Sequence, residues 1–569
     1  MADLPRNEAL ADQFDLLADL MELQSADSFR IGAYRKAAAR IRETPASVAQ
    51  LALAGKAKQL QGIGKTIEGK IVEVVEDGEI HALSKRKAEV PAEVAKFMRL
   101  PGLGPKTARR IWQELGITTV EELRSAATSQ QLRGHAGIGA GTEEKILQAL
   151  AAPQAAEGPR RALLGTTLPK LRAVVDVLRE HPASVEVDLA GSARRMRETV
   201  RDLDIIATAT DAPALVDYFT SLAWVVDVAA KGPTKATVVS HDGLRFDLRV
   251  VPPESYGNLL QHFTGSKHHN VALREDAVRR GFSVSEYSVT VVETGEEHSF
   301  ATEEEVYRFL GYDWIPPELR ENGGELAAAR KGELPELVEL GDLRGALHTH
   351  TTWSDGKDSL EEMVAAALGK GYAYYAICDH SQRLRGDLLY QQSEAIDALT
   401  ELVAPFRILK GIEVNVRPDG TLDVDEADLA TRDWVVASVD SRFDHNPTER
   451  VLAAMESPYV DVIGHVTNRK IGKRQPSHVD IERLVEKALE TGTFLEINSQ
   501  PDRLDLTDVH ARAAREAGLK VVIDSDGHEV GALDFVELGV GQARRAWLTK
   551  DDVLNTRTWK QIEKLRKKR

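Results

Sequence analysis

From residue 341 to the C-terminus, short apolar runs recur with amphipathic stretches between them: AYYAICDH (373–380), FRILKGIEV (406–414), WVVASVD (434–440), YVDVIGH (459–465), TFLEINS (493–499) and LKVVIDSD (519–526). Runs this continuous belong to strands buried on both faces, which occur in parallel sheets covered by helices. Strands alternating with helical spacers predict crossover connections and a barrel. In such a barrel the chemistry sits at the C-terminal strand ends.

Those ends carry metal-binding side chains. LHTHTTWSDG (347–356) places His348 and His350 on one side of a strand end, with Asp355 in the loop beyond. His380, Glu413, Asp440, His465, Asp526 and His528 each follow one of the later runs. One histidine is an ordinary structural residue, but a repeated strand-end pattern of His and acid points to a shared centre. Nine such groups at one mouth are expected to bind two or three transition-metal ions. Imidazole suits Zn, Mn or Fe, and carboxylates bridge between ions.

A second acidic pattern lies upstream, in GSARRMRETVRDLDII (191–206). On a strand Asp202 and Asp204 share one face while Leu203 and Ile205 face the core. LRFDLRVV (244–251) alternates in the same way and exposes Arg245, Asp247 and Arg249. Adjacent carboxylates repel unless cations lie between them. Asp202, Asp204 and Asp247 together suit two Mg²⁺ or Mn²⁺ ions, which take phosphate oxygens as remaining ligands and stabilise both attacking and leaving oxygens. Gly191 and Ser192 allow close approach of a triphosphate, and Arg195 supplies a neutralising charge.

Residues 8 to about 150 read as helical, with LQGIGKTIEGKI (60–71) and LPGLGPKTARRI (100–111) each setting Gly-apolar-Gly between two helices. Gly62, Gly64, Gly102 and Gly104 permit the tight turn. The helix that follows offers backbone N–H groups to a phosphate, with Lys65 and Lys106 beside them. HAGIGAGTEEKI (135–146) is a degenerate third copy. The formal net charge of −16 argues against nucleic acid, but residues 51–150 hold 15 Lys/Arg against 12 Asp/Glu, so this stretch is locally basic. The tail bearing Lys560, Lys564, Arg566, Lys567, Lys568 and Arg569 is basic too, as a solvated end often is. One cysteine, Cys378, excludes an internal disulfide framework. No apolar run approaches the ~20 residues of a membrane span, and MADLPRNEAL lacks the pattern of a signal peptide. A cytoplasmic monomer without membrane contact is expected.

The GS…DxD pattern resembles the nucleotidyltransferase superfamily. YGNLLQHFTGSKHHNVALR (256–274) narrows this to a resemblance to family X DNA polymerases, the group that includes polymerase beta. That resemblance implies that Phe263, Thr264, Gly265 and Ser266 support the incoming nucleotide's sugar, with Asn270 the family's following Asn. It implies that Ser192 and Arg195 hold the triphosphate and that Arg245 orients the primer end. His262-Phe263 stands where the family has Tyr-Phe. FRIGAYRKAAARI (29–41) and GIGKTIEGKI (62–71) resemble the family's small domain, which in some members removes 5′-deoxyribose phosphate through a lysine Schiff base. The nucleophile of that motif falls on Lys70, with Lys65 and Arg35 as neighbouring charges. Lys70 reads equally as a phosphate contact.

The 341–569 region resembles the PHP (polymerase and histidinol phosphatase) domain, a seven-stranded α/β barrel that hydrolyses phosphoesters. Its usual Ser-Val-His-Ser is Ser-Val-Asp-Ser here, at Asp440, which favours Mn²⁺ over Zn²⁺ or weakens the nuclease. The implied domains are 1–90 and 91–155 with helix-hairpin-helix motifs, 160–315 a nucleotidyltransferase palm and thumb, 316–340 a linker and 341–569 a distorted (β/α)7 barrel with two or three Mn²⁺ or Zn²⁺ ions. AAPQAAEGPRR (151–161) reads as a further linker. The implied function is filling of short gaps in base excision repair, using deoxynucleoside triphosphates on gapped or nicked DNA. A 3′-5′ exonuclease, abasic-site endonuclease and deoxyribose-phosphate lyase come with the resemblance. The alternative is a structure-specific DNA phosphoesterase whose polymerase half binds DNA.

Overall fold

The computed structural model describes the chain apart from residues 1–3, 6, 25, 44–47, 61, 99–102, 135–138, 140–142, 144–145, 148–160, 444, 475, 478 and 568–569. The described residues form two compact units, one of 1–160 with 216–247, the other of 161–215 with 248–569. The linker expected at 151–161 and most of the third glycine hairpin lie outside the described residues.

In the first unit, helices Asn7–Leu23 and Ser28–Glu43 pack together around Leu10, Phe14, Leu17, Ala37 and Ile41. Both predicted glycine turns open helices. Gly64 and Gly104 are extended N-cap residues of Lys65–Asp77 and Pro105–Leu115. Each helix ends on a left-handed glycine, Gly78 at φ +83° and Gly116 at φ +67°, a conformation that a Cβ disfavours. Ile67, Ile71 and Val74 recur at helical spacing and anchor the first of these helices in the core. Strands Val225–Lys231 and Lys235–Ser240 of this unit pair antiparallel. Trp224 packs on Phe246 with ring centroids 4.8 Å apart. From Val228 to Lys231 the first of these strands is exposed.

In the second unit, strands Ser184–Leu189 and Asp202–Ala209 pair antiparallel, with Leu189 opposite Ile205. The segment 316–340, expected as a linker, is packed structure carrying helix Glu325–Lys331. Arg320 is wholly buried and paired with buried Glu303, which also takes Arg194 at 2.8 Å. Glu325 accepts from His269 Nδ1 at 2.7 Å, and His269 Nε2 lies 2.9 Å from the Tyr307 hydroxyl. The segment's polarity and glycines read as a tether because composition does not reveal that these charges meet one another inside.

The barrel has seven parallel strands in chain order: Gly345–Ala346, Tyr374–Ile377, Arg407–Asn415, Trp434–Ser438, Val462–Ile463, Phe494–Asn498 and Val521–Asp524. A bridge between Thr349 and Gly527, with His350 N donating to Gly527 O at 2.8 Å, nearly closes the ring. Helix Val536–Arg545 lies against the 165–196 segment. Met196 rests on Gly541, and Gly165 is held so close to Pro501 and Leu538 that a Cβ there would fall 2.6 Å from Pro501 Cβ. Arg172 pairs with Glu537, Arg544 with Glu318 and Arg469 with Glu198. These contacts tie the 165–198 segment and Glu318 to the barrel within the second unit.

Glu303→Ala strands the buried Arg320 guanidinium and the partly buried Arg194, and removing one partner of a buried pair costs about 3–5 kcal/mol. Trp314 Nε1 donates to the same carboxylate at 3.3 Å. Urea unfolding followed by tryptophan fluorescence is expected to shift by that amount, and an unchanged midpoint would contradict the assignment.

Candidate functional site

All nine strand-end residues converge in the barrel. His350, Asp355, His380 and His528 form one group whose ligand atoms lie within 4.8 Å of one another. His348, His350 and Glu413 form a second, and Glu413, Asp440 and His465 a third. Asp526 lies 3.1 Å from His350 Nε2 and 3.7 Å from His348 Nε2. A cavity of about 600 Å³ opens above them, lined by Asp355, His380, Glu413, Asp440, Asp526 and His528 among others.

Whether these residues fit cations is decided by their nitrogens. His348 Nε2, both ring nitrogens of His350 and Glu413 Oε2 are buried and make no hydrogen bond. Orphaned buried polar atoms are costly unless a ligand takes them. Other ring nitrogens are committed away from the cavity. His348 Nδ1 lies 2.6 Å from Glu496 Oε1, His465 Nδ1 2.9 Å from Asn468 Oδ1 and His528 Nδ1 2.8 Å from the Asp526 carbonyl. Each outer partner fixes the ring and turns the other nitrogen inward, as metal-binding histidines require. The residues fit two or three cations.

The electrostatics agree. Burial opposes charge on His348, yet Glu496, Asp526 and Glu413 hold its pKa well above the ordinary value. Burial likewise opposes His380, but Glu413 and Asp355 push it up to about 11. Glu413 and Asp526 resist burial and stay far below the carboxylate range because imidazoles surround them. Asp440 goes the other way, raised by burial and by the charge of Glu413. Without cations the centre holds protons in their place.

The outer ring escaped the sequence reading. Asp379 accepts from Thr351 N and Oγ1, each at 2.7 Å, from Ser354 Oγ at 2.6 Å and from Gln392 at 2.7 Å. Glu496 also accepts from His465 N at 2.6 Å. Both acids sit within the same runs as the ligands, which was the available signal. Arg503 and Lys470 also line the cavity, and Arg503 Nε and Nη1 are buried without hydrogen bonds, Nε 3.9 Å from Asp526 Oδ2. Their loops lack a strand pattern, so nothing in the sequence singled them out.

The second acidic pattern is divided between the two units. In the unit with the barrel, Asp202 and Asp204 alternate with buried Leu203 and Ile205, as predicted. Asp202 pairs with Arg201 at 3.0 Å. Gly191, at φ +64°, packs directly on the Asp204 carboxylate, leaving no room for a Cβ. Ser192 and Arg195 follow on the same short turn. Arg195 Nε pairs with Glu321 at 3.0 Å and its Nη1 donates to the Thr264 carbonyl. Arg194 donates to the Thr264 hydroxyl at 2.6 Å. The 191–195 segment therefore grips the Thr264–Ser266 turn. Gly265 has φ +69°, and Ser266 caps helix Lys267–Arg279 by accepting from His269 N. Phe263 lies under the Arg249 guanidinium, 4.5 Å from its ring centre. Asn270 is engaged internally, donating to the His262 carbonyl at 2.8 Å and accepting from Gln261 at 2.9 Å. His262 meets Arg274 at 2.9 Å, and burial with that charge lowers its pKa.

In the first unit, Asp247 accepts from the Thr237 hydroxyl and lies 3.3 Å from Arg245 Nε. Gly62 takes φ +89° in its turn, and Lys65 and Lys106 are exposed beside the caps Gly64 and Gly104. Gly102 lies outside the described residues. Lys70 is half-buried on helix Lys65–Asp77. Arg35, expected to lend Lys70 positive charge, is instead paired with Asp19 and Glu22.

Comparison with known proteins follows these boundaries. Residues 259–321 match the DNA polymerase beta thumb, 5–80 a helix-hairpin-helix domain, 94–152 a SAM-like helix-hairpin-helix tandem and 346–523 the PHP domain. The chain is 40% identical over 565 residues to the DNA polymerase/3′-5′ exonuclease PolX of Bacillus subtilis (strain 168), covering 96% of this chain and 97% of that one. It is 31% identical over 237 residues to a probable phosphatase of Thermoanaerobacter sp. (strain X514), covering 39% of this chain and 94% of the relative. A probable phosphatase of Acetivibrio thermocellus is 31% identical over 204 residues, 33% of this chain and 82% of its own.

Because His348 and His380 carry protons until a cation displaces them, cation affinity falls as pH falls through neutrality. Calorimetry of Mn²⁺ binding in two buffers of different ionisation enthalpy is expected to show release of about one proton or more per protein near pH 7. An enthalpy independent of buffer would contradict this.

Proposed function

The chain belongs to the family of the DNA polymerase/3′-5′ exonuclease PolX, and from that premise we propose how two metal centres divide its work on DNA. It is a DNA polymerase with a 3′-5′ exonuclease, and both halves depend on metal ions. The reading we adopt is filling of short gaps in base excision repair. The observation that carries it is the pairing, in one chain, of the Gly191–Arg195 grip on the Thr264–Ser266 turn with the barrel's inward-facing imidazoles.

In this reading Asp202, Asp204 and Asp247 hold two Mg²⁺ or Mn²⁺ ions. The sequence alternation and the family relationship support that assignment. Ions held there stabilise the attacking and leaving oxygens of nucleotidyl transfer. The chain's own residues do the positioning. Gly191 and Ser192 let the triphosphate approach, Arg195 offsets its charge, and Phe263 to Ser266 form the surface for its sugar, with Asn270 bracing that surface. Arg245 steers the primer end. Gly62, Gly64 and Lys65, with Gly102, Gly104 and Lys106, grip backbone phosphates of gapped or nicked DNA without reading its bases.

In the barrel His348, His350, Asp355, His380, Glu413, Asp440, His465, Asp526 and His528 hold two or three ions. These supply Lewis-acid polarisation of a phosphodiester. Glu496 and Asn468 keep the His348 and His465 rings oriented. Asp440, an anionic oxygen ligand where an imidazole is usual, shifts preference from Zn²⁺ towards Mn²⁺. The same centre is suited to cutting at abasic sites. The match to probable phosphatases along the barrel supports phosphoester hydrolysis there.

Asp202→Ala is expected to abolish extension of a primer across a one-nucleotide gap while 3′-5′ degradation persists. Normal extension by that variant would make the triad assignment wrong, whereas a parent protein that degrades but does not extend would favour a phosphoesterase whose other half only holds DNA. His350→Ala is expected to do the reverse, with a loss exceeding the roughly 10–100-fold of an outer-partner change such as Glu496→Gln.

Lys70 is the proposed lyase nucleophile, its amine condensing with the ring-opened sugar aldehyde and releasing water. Borohydride reduction is expected to trap the chain on 5′-deoxyribose-phosphate DNA and to fail with Lys70→Ala. Trapping that survives would place the nucleophile elsewhere.

A further inference from the structure

The loop assigned to the triphosphate does not stand alone in its unit. Arg545, the last residue of helix Val536–Arg545, is 3% exposed and reaches from the barrel into it. Its Nη1 donates to the Arg195 carbonyl and to Glu321 Oε1, both at 3.0 Å. Its Nη2 donates to Asp508 Oδ2 at 2.5 Å. Glu321 Oε1 also accepts from Arg195 Nε at 3.0 Å. One carboxylate oxygen thus serves two guanidinium groups, one from each domain, and Arg195 passes the constraint to the Thr264 carbonyl.

A second contact acts on the same loop. Met196, at φ +52°, lies so close to Gly541 that a Cβ there would fall 2.7 Å from Met196 Cε. Packed interfaces of this kind tolerate little displacement. The other end of the helix points elsewhere. Phe535, just before it, lines the cavity of the barrel's metal centre. At 1.5 Å per residue Arg545 is about 15 Å along the helix from that cavity.

We propose that Arg545 is a positioning residue for the polymerase reaction: through Glu321 and the Arg195 backbone the nuclease barrel holds the nucleotide-binding loop in place. The proposal rests on the reading that Arg195 binds the triphosphate. It makes the barrel part of the polymerase's nucleotide pocket as well as a second enzyme on the same chain. Asp508 is the counter-anchor. Its carboxylate, kept below the ordinary range despite burial by Arg545, ties the guanidinium back to the barrel.

The test uses the full-length protein on one-nucleotide gapped DNA with varied deoxynucleoside triphosphate. Arg545→Ala is expected to raise the nucleotide KM about tenfold, the worth of one charge-assisted hydrogen bond, with a smaller change in kcat. Its 3′-5′ exonuclease rate is expected to stay near that of the parent, while its urea midpoint falls because Glu321 and Asp508 lose a buried partner. Arg545→Lys, which retains the charge but not the forked geometry, is expected to fall between. Gly541→Val displaces Met196 and is expected to raise the same KM by a steric route. Parallel loss of stability and of both activities in Arg545→Ala and Gly541→Val would overturn the proposal in favour of a purely structural contact. Arg195→Ala separates the two levels. If it leaves the nucleotide KM unchanged, the underlying reading of Arg195 fails. If it raises KM while Arg545→Ala does not, only the present inference fails.

Discussion

Glu413 is 1% exposed and lies within 3.5 Å of ring nitrogens on four histidines: His348, His350, His380 and His465. A carboxylate in so little water must be neutralised, and only cations or imidazolium charge are at hand. The barrel is arranged around that requirement. Its strands deliver the four imidazoles, Asp379 and Glu496 brace the loops and rings that carry them, and nitrogens left without hydrogen bonds face inward. Cations satisfy the acids and the orphaned nitrogens together, which protons cannot do as completely.

The polymerase half solves a related problem with less burial. Its aspartates stay partly open to water. The enclosed charges here are guanidinium groups, Arg194, Arg195 and Arg320, set against Glu303 and Glu321. They lock the 191–195 loop to the Thr264–Ser266 turn. Arg545 extends this network into the barrel.

Much was legible because period and position carry it. The apolar runs specified parallel strands, and the His and acid side chains expected near their ends are brought together in the barrel. The D-x-D alternation and the Gly-apolar-Gly turns were equally local, set by a two-residue repeat and by backbone conformations that favour glycine. The 316–340 segment misled for the opposite reason. Its charges are satisfied by His269, Glu303 and Arg195, residues 17 to 126 positions away, and no local pattern records such a partner. Arg503, Lys470 and Arg545 were missed on the same ground.

The sequence alone therefore determined which elements form, which side chains meet at each strand end and what class of ligand those side chains take. These follow from local periodicity and residue chemistry. Only the tertiary structure decided which imidazole nitrogen faces inward, that the supposed linker is packed through Arg320 and Glu325, and that a barrel helix ends on the 191–195 loop. Each depends on contacts between residues distant in the chain. Their energy comes from desolvation and geometry, which composition and spacing do not encode.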